Sequence, residues 1–117
     1  MPDHPVLVYS TFPDKETALG VGRSLVADRL CACVNILPQM ISVYRWEGEV
    51  EEGDEVVMLV KTRSTLADAV VAAIVERHPY DVPAVLVLPT EGGNPAFCDW
   101  IFDETSSAKA EISEGKG

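Results

Sequence analysis

Residues 55–61 read EVVMLVK, and this stretch decides the fold. Successive side chains of a β-strand point to opposite faces of its sheet. The five consecutive apolar residues inside the stretch therefore predict a strand that is covered on both faces, at the centre of a sheet or at an interface. Upstream, Ile41 and Val43 alternate with polar and aromatic residues, and Glu47-Gly48 supplies a turn. The region predicts two long strands that form one hairpin.

Strand and helix patterns alternate on both sides of this hairpin. Apolar side chains recur at helical spacing after Asp14 and again after Ser64 and Thr65, which are residue types that cap helices. Pro38 falls inside a predicted strand and indicates an edge position or a bulge, because proline cannot donate a ladder hydrogen bond. The predicted elements are strand 6–12, helix 14–30, strand 32–46, strand 50–61, helix 65–78, strand 82–88 and helix 96–104.

The first helix carries a glycine on its predicted buried side, which indicates close packing against the sheet. The predicted buried stripe is Leu19, Gly22, Leu25, Val26 and Leu30.

The order of the first six elements is β-α-β-β-α-β, which predicts an α+β fold. It is the ferredoxin-like βαββαβ order, an antiparallel sheet with two helices on one face. The other face then needs a cover, and a partner subunit is the natural one. We expect residues 1–104 to form a single domain and residues 105–117 to be a flexible polar tail.

Composition restricts the classes of partner. The formal net charge is −10, from 19 acidic against 9 basic residues, which argues against binding to nucleic acid or to an anionic membrane surface. No apolar run approaches the ~20 residues of a membrane span. Three cysteines, an odd number, argue against a secreted disulfide framework. We therefore expect a soluble, cytoplasmic protein.

Several short motifs occur in a fixed order within this topology. The order and spacing resemble the CutA divalent-cation-tolerance family over residues 5–103, and the YRWEG turn together with HPY is the most specific part. The motifs are ACVNI at 32–36, SVYRWEG at 42–48, EVVMLVKT at 55–62, HPY at 78–80 and LVLP at 86–89.

The resemblance implies a homotrimer, similar in architecture to PII-type signalling proteins, and a link to tolerance of divalent metals, copper above all. The copper site proposed for the family uses a cysteine at the end of the first strand and two histidines before Pro-Tyr. Here Ser10 and Arg77 stand at two of these positions, and only His78 matches. Serine is a poor copper ligand and arginine is none. The resemblance therefore leaves His78 as the candidate metal ligand, in an incomplete site.

Four other residues are candidates for a cleft that binds an effector: Cys33, Glu55, Lys61 and Tyr80. Each has a structural alternative. A strand cysteine is often a small buried hydrophobe, tyrosine often packs at interfaces, and a lysine often extends along apolar surface. His78, for its part, could interact with the end of its helix rather than with a ligand.

The sequence contains no P-loop, G-x-S-x-G, H-E-x-x-H or C-x-x-C motif, and we predict that the protein is not an enzyme. The acidic residues of the hairpin, at 47–55, could hold a hard cation or simply keep the hairpin tip solvated. Two functions stay open. One is a copper-tolerance homotrimer whose inter-subunit clefts bind a metal ion or small effector. The other is a structural, adaptor or PII-like signalling trimer with no specific metal binding.

Overall fold

The computed structural model describes residues 2–106, which form one antiparallel sheet and three helices. The strands lie in the order β2-β3-β1-β4, and all neighbouring strands are antiparallel. The predicted ferredoxin-like α+β fold is confirmed. The elements are β1 (Pro5–Phe12), α1 (Lys15–Ala27), β2 (Cys33–Trp46), β3 (Glu49–Arg63), a 3₁₀ turn (Ser64–Leu66), α2 (Ala67–Arg77), β4 (Val85–Pro89) and α3 (Pro95–Glu104).

The hydrophobic core lies between one face of the sheet and the two helices α1 and α2. Alternate residues of β1 and β3 point into it, as the period of a strand requires. The largest fully buried apolar side chains are Val8, Phe12, Leu25, Met58, Val60, Val70 and Ile74. Burying a side chain of this size stabilises the fold by roughly 1.5–3 kcal/mol. The core therefore fixes both helices on the same face.

Helix α1 begins after Asp14, whose side chain accepts a hydrogen bond from the backbone N–H of Thr17 at 2.8 Å, as predicted for a cap. Its buried face differs from the predicted stripe. Val26 is 42% exposed, whereas Ala18 and Val21 are buried. Relative to the predicted stripe, the buried face of the helix is rotated toward these two residues, while Gly22 and Leu25 stay buried as predicted.

Gly22 lies at the closest approach of the helix to the sheet. A Cβ atom at Gly22 would lie 2.8 Å from Cγ2 of Val34 on β2, closer than real Cβ contacts allow. The glycine therefore lets the helix backbone approach the sheet, as the sequence predicts. The closest approach fixes the centre of the buried face.

The β2–β3 hairpin is the longest feature of the molecule and gives it extents of 54 × 32 × 22 Å. Its turn, Glu47-Gly48, has positive φ at both residues, as a type I′ turn requires. β2 is an edge strand, and its pairing with β3 shifts between Leu37 and Met40, where Gln39 has a φ of 64°. Both interpretations of Pro38, an edge strand and a bulge, are confirmed.

The face of the sheet opposite α1 and α2 is only partly covered. Val57 and Leu59 of β3 are half-buried there. Helix α3 packs across part of this face, and its Phe97 ring lies beneath the ammonium group of Lys61. The rest of the face, together with the hairpin, leaves large apolar side chains exposed.

The N-terminal segment is tied to the start of α2. The carboxylate of Asp3 accepts hydrogen bonds from the hydroxyls of Ser64 and Thr65 and from the Thr65 N–H, and it pairs with Arg63 at 3.2 Å. The expectation that Ser64 or Thr65 caps the second helix is wrong in detail. These residues form the 3₁₀ turn, and the acceptor comes from Asp3, about sixty positions away in sequence.

Arg63 extends this network to the end of α3. Its guanidinium donates to the Thr105 hydroxyl and to the Phe102 carbonyl, and it lies over the Phe102 ring. Thr105, where the predicted tail begins, is buried, while residues 107–117 lie outside the described residues. Between residues 2 and 106, no helix is both long and apolar enough to cross a membrane.

We expect Asp3→Asn to lower the free energy of unfolding by about 1–2 kcal/mol near neutral pH. Burial opposes ionisation of Asp3, but hydrogen bonds from Ser64 and Thr65 and the charge of Arg63 outweigh it and lower the pKa from its ordinary value of 3.8. The ionised form therefore stabilises the fold above the unfolded pKa, and this stabilisation is lost as the pH falls through the lowered folded pKa.

Denaturant unfolding at fixed protein concentration, repeated at decreasing pH, measures this effect. The gap between Asp3→Asn and the parent protein should be constant down to about pH 5 and should shrink below that. The exposed Asp81→Asn serves as the control. A gap that does not depend on pH would contradict the assignment.

Candidate functional site

A hydrogen-bonded cluster joins the end of α2 to the base of the hairpin. His78 follows the last residue of α2, and Pro79 prevents the helix from continuing. The His78 ring is buried, stacks on Phe12 with ring centroids 4.3 Å apart, and lies 4.7 Å from the Tyr80 ring. The chain turn at Pro79 thus brings two of the predicted site residues, His78 and Tyr80, into contact.

Both ring nitrogens of His78 are engaged. Nε2 lies 2.6 Å from the carbonyl oxygen of Thr11, and the backbone N–H of Tyr80 donates to Nδ1 at 3.1 Å. A carbonyl only accepts and an amide N–H only donates, so this pattern assigns a neutral ring with its proton on Nε2. No lone pair of the ring is left for a ligand.

Glu55 receives hydrogen bonds from two other elements. The Ser42 hydroxyl donates to Oε1 at 2.6 Å, and the Tyr80 hydroxyl donates to Oε2 at 3.1 Å. Burial, the hydrogen bond to Glu55 and the negative charge of that carboxylate raise the pKa of Tyr80 to about 12. Nearby Tyr44 and Asp14 act in the same direction. Three predicted residues, Glu55, His78 and Tyr80, therefore form one cluster.

A cavity of about 350 Å³ opens beside this cluster. It combines apolar walls with two carboxylates and one side-chain amide. Its lining is Pro13, Gln39, Ile41, Asp54, Glu55 and Val56. The β2 bulge forms one side of it, since Gln39 is the residue with the positive φ.

The other two predicted residues, Cys33 and Lys61, lie elsewhere. They are directly paired across β2 and β3. Lys61 lies six positions after Glu55 on β3, which corresponds to about 20 Å along an extended strand. The Lys61 ammonium lies 5.4 Å from the centroid of the Phe97 ring. Within one chain, the five predicted residues thus form two separate groups.

The residues at the metal positions of the family do not fit a copper site. The Ser10 side chain is fully buried, and its hydroxyl has no hydrogen-bond partner among the described residues. Arg77 donates to the Ser24 hydroxyl at 2.7 Å and pairs with Asp28 at 3.4 Å. In residues 2–106 there is no group of three or more His, Cys, Asp or Glu side chains that could hold a metal ion.

Sequence reasoning missed the partners that organise the cluster. The acceptor of His78 is a backbone carbonyl at Thr11, which no residue pattern reveals. For Ser42, in contrast, the sequence did offer a signal, because Ser42 is the first residue of the SVYRWEG motif. Its hydrogen bond to Glu55 depends on the register of the hairpin, which places Ser42 opposite Gly53.

Fold and site together define a class: a small ferredoxin-like α+β domain with an extended hairpin and a closed polar cluster at its base. Residues 6–104 match the family model described as the CutA1 divalent ion tolerance protein. The chain belongs to this family.

Curated relatives and solved structures agree with this assignment. Protein CutA of Mus musculus is 41% identical over 99 residues, which are 85% of this chain and 56% of the mouse protein. The divalent-cation tolerance protein CutA of Thermus thermophilus is 40% identical over 85% of this chain and 96% of its own length. The chain thus spans just over half of the mouse relative and nearly all of the bacterial one.

The crystal structure of CutA from Xylella fastidiosa superposes with a TM-score of 0.86 at 35% identity, over 88% of this chain and 99% of that chain. CutA1 from Oryza sativa also gives a TM-score of 0.86, at 39% identity, over 89% of this chain and 95% of that chain.

We expect Ser10→Ala to raise the free energy of unfolding by about 1 kcal/mol, because an unpaired buried hydroxyl costs roughly 1–3 kcal/mol. Thr62→Val provides a matched comparison on the same face of the sheet. The Thr62 hydroxyl is also fully buried, but it donates to the Leu30 carbonyl at 2.7 Å.

Denaturant unfolding of both variants measures the contrast. Thr62→Val should lose about 1 kcal/mol, because it removes a hydrogen bond and leaves the Leu30 carbonyl without this donor. If Ser10→Ala is destabilised as much as Thr62→Val, the Ser10 hydroxyl has a partner and the assignment fails.

We expect Glu55→Gln to lower the pKa of Tyr80 from about 12 toward the ordinary value of 10, with a remaining rise due to burial. The substitution removes the negative charge that opposes ionisation of the phenol. Absorbance of tyrosinate during a pH titration measures the change, and Tyr80→Phe identifies which of the three tyrosine transitions belongs to Tyr80. Glu51→Gln, on the same hairpin, should leave the Tyr80 transition in place. An unchanged transition in Glu55→Gln would rule out the predicted contact.

Proposed function

We propose that the protein is a homotrimeric, non-enzymatic binding protein of divalent-cation tolerance. The proposal is carried by one observation, the large apolar surface that a single chain leaves exposed along its hairpin. Ile41 and Val43 on β2 and Val50 on β3 are each about two-thirds exposed, and Trp46 is more than half exposed. Ile41, Val43 and Val50 share one face of the hairpin, and exposed apolar side chains grouped in this way are typical of protein–protein interfaces.

The backbone of the hairpin supports the same proposal. β2 is a fourteen-residue edge strand, and a long uncovered edge is a template for pairing with another chain. Trp and Tyr are enriched in the buried centres of interfaces, and the hairpin carries both, at Trp46 and Tyr44. A further copy of the chain would cover the edge and the apolar side chains together. The choice of three copies rests on the resemblance to the trimeric PII-like architecture.

The Glu55–Tyr80 cluster and its cavity lie at the base of this hairpin, where a second subunit would border them. We propose that the cavity becomes part of an inter-subunit cleft that takes a small effector. Its mixture of apolar walls and carboxylates is the kind of lining that small-molecule sites use. Within one chain, Cys33 and Lys61 lie too far from Glu55 to share its cleft. We propose that they contribute to the cleft of a neighbouring subunit in the same assembly.

A non-enzymatic role is supported by the names of the relatives, which are called tolerance proteins. The state of the polar groups points the same way. Both ring nitrogens of His78 are hydrogen-bonded within the chain, and each carboxylate oxygen of Glu55, although Glu55 lines the cavity, already accepts one hydrogen bond. Burial and the neighbouring Cys33 raise the pKa of the Cys31 thiol to about 12, so that thiol is protonated and a poor nucleophile near neutral pH.

The second candidate is a structural, adaptor or PII-like signalling trimer without specific metal binding. It is favoured by the lack of a three-ligand group among the described residues. Calorimetric titration of the purified protein with copper(II) tests the metal-binding form of the first candidate. Saturable binding with a fixed number of ions per trimer rules out the second candidate, and no saturable binding rules out a copper site and leaves the small-effector form of the first. We also propose a cytoplasmic location, which the three free thiols support.

We expect the protein to have the mass of three 12.7 kDa chains by light scattering, and Val43→Glu to dissociate it. Burying an unpaired carboxylate in an interface costs several kcal/mol, which is enough to shift association by more than a hundredfold. Val75→Glu is the matched control, because Val75 is 48% exposed on the outer side of α2, away from the hairpin.

The expected result is a trimer for the parent chain and for Val75→Glu, and monomers for Val43→Glu at micromolar concentration. A monomeric parent protein would overturn the proposal. So would dissociation of Val75→Glu alone.

A further inference from the structure

The end of α2 is where the family resemblance would put a metal, and His78 is the only histidine there. A metal-bound imidazole must offer a lone pair on one nitrogen. Here Nε2 donates its proton to the Thr11 carbonyl, and Nδ1 accepts from the Tyr80 N–H. His78 is also buried, with 8% of the residue exposed, and its ring is stacked on Phe12. Coordination through either nitrogen would break one of these hydrogen bonds in a buried place.

The remaining positions supply no compensating ligand. The Ser10 side chain is buried in the core, and a neutral hydroxyl is a poor ligand for copper. Arg77 carries a guanidinium group, which offers no lone pair to a metal, and it is paired with Asp28. A copper ion at this end of the helix would therefore meet one occupied imidazole and one cation.

We infer that His78 is a positioning residue for Tyr80 and not a metal ligand. Its hydrogen bond to the Thr11 carbonyl connects the segment after α2 to β1. Its Nδ1 atom positions Tyr80 so that the Tyr80 hydroxyl reaches Glu55. The hydrogen bonds run from the Thr11 carbonyl through His78 and Tyr80 to Glu55, and from there to Ser42 on β2. One ring thus couples the end of a helix to both strands of the hairpin. The inference concerns contacts within one chain and stands whether or not the chain forms trimers.

The Tyr80–Glu55 hydrogen bond depends on His78, but the Tyr80–His78 hydrogen bond does not depend on Glu55. Without the Nδ1 acceptor, the Tyr80 N–H loses its partner, the 78–80 turn loosens, and the Tyr80 hydroxyl no longer reaches Glu55. Loss of Glu55 has a more local effect. The Tyr80 hydroxyl loses its acceptor, but the Tyr80 N–H still donates to His78. The two ends of the chain of hydrogen bonds can therefore be tested separately.

The first experiment measures amide hydrogen exchange at Tyr80 by NMR in the parent protein, His78→Asn, His78→Ala and Tyr80→Phe. An asparagine oxygen can accept the residue-80 N–H near the place of Nδ1, whereas alanine cannot. We expect protection at residue 80 in the parent, His78→Asn and Tyr80→Phe, and at least about tenfold faster exchange in His78→Ala. Val8, in the centre of the sheet, is the reference amide.

Two results would overturn the positioning role. One is an unprotected Tyr80 amide in the parent protein. The other is equal protection in His78→Ala and His78→Asn. Exchange at Tyr80 is measured relative to Val8 in each variant, so that a substitution that speeds both amides equally, and therefore acts on the whole fold, counts as equal protection.

The second experiment titrates copper(II) into the parent protein, His78→Asn and His4→Asn by calorimetry. His4 is the only other histidine and is the matched control, since it lies near the N-terminus. We expect His78→Asn to keep the parent's stoichiometry and an affinity within about twofold, whether the parent binds copper or not. Loss of one copper ion per chain in His78→Asn, or weakening by more than about tenfold, would overturn the inference.

Discussion

The fold depends on one constraint, namely that β3 is apolar on both of its faces. One face is satisfied within the chain: Val56, Met58 and Val60 are buried under α1 and α2. The other face, with Val57 and Leu59, is only half-covered, although α3 packs across part of it. A strand of this kind belongs in the middle of a larger structure. The exposed hairpin and the proposed self-association both follow from it.

The hairpin owes its shape to two local features. Glycine at the tip accepts the positive φ that a tight turn needs, and the Pro38-Gln39 bulge bends the edge strand beside Glu55. The bulge changes the direction of β2, and the cavity next to Glu55 lies beside the bulge, with Gln39 in its lining. The candidate site is therefore a consequence of how a long edge strand is interrupted, rather than of a dedicated ligand-binding loop.

Membership of the divalent ion tolerance family does not by itself supply a metal site. The polar groups at the end of α2 form a closed set, in which donors and acceptors within the chain satisfy one another. Such a set is suited to holding elements together, because its hydrogen bonds join groups from different elements, from the buried His78–Thr11 contact to the exposed Tyr80–Glu55 contact. In this chain the region couples α2, β1 and the hairpin.

How much could be predicted differs between the fold and the site. Periodicity, proline and glycine determined the element order, the edge position of β2, the close approach at Gly22 and the position of the turn, because these depend on properties of single residues and of short repeats. The buried face of α1 was misjudged at Val26, since only packing decides the rotation of a helix about its axis.

The sequence by itself determined the family, the fold class and the residues Glu55, His78 and Tyr80 as candidates. Only the tertiary structure decided that these three touch, that Cys33 and Lys61 lie apart from them, and that Asp3 replaces a local cap on α2. The physical reason is that hydrogen bonds between distant segments depend on strand register and on backbone groups such as the Thr11 carbonyl. The sequence of side chains predicts neither of these. The hydrogen bonds of the two His78 nitrogens could therefore be identified only from the tertiary structure.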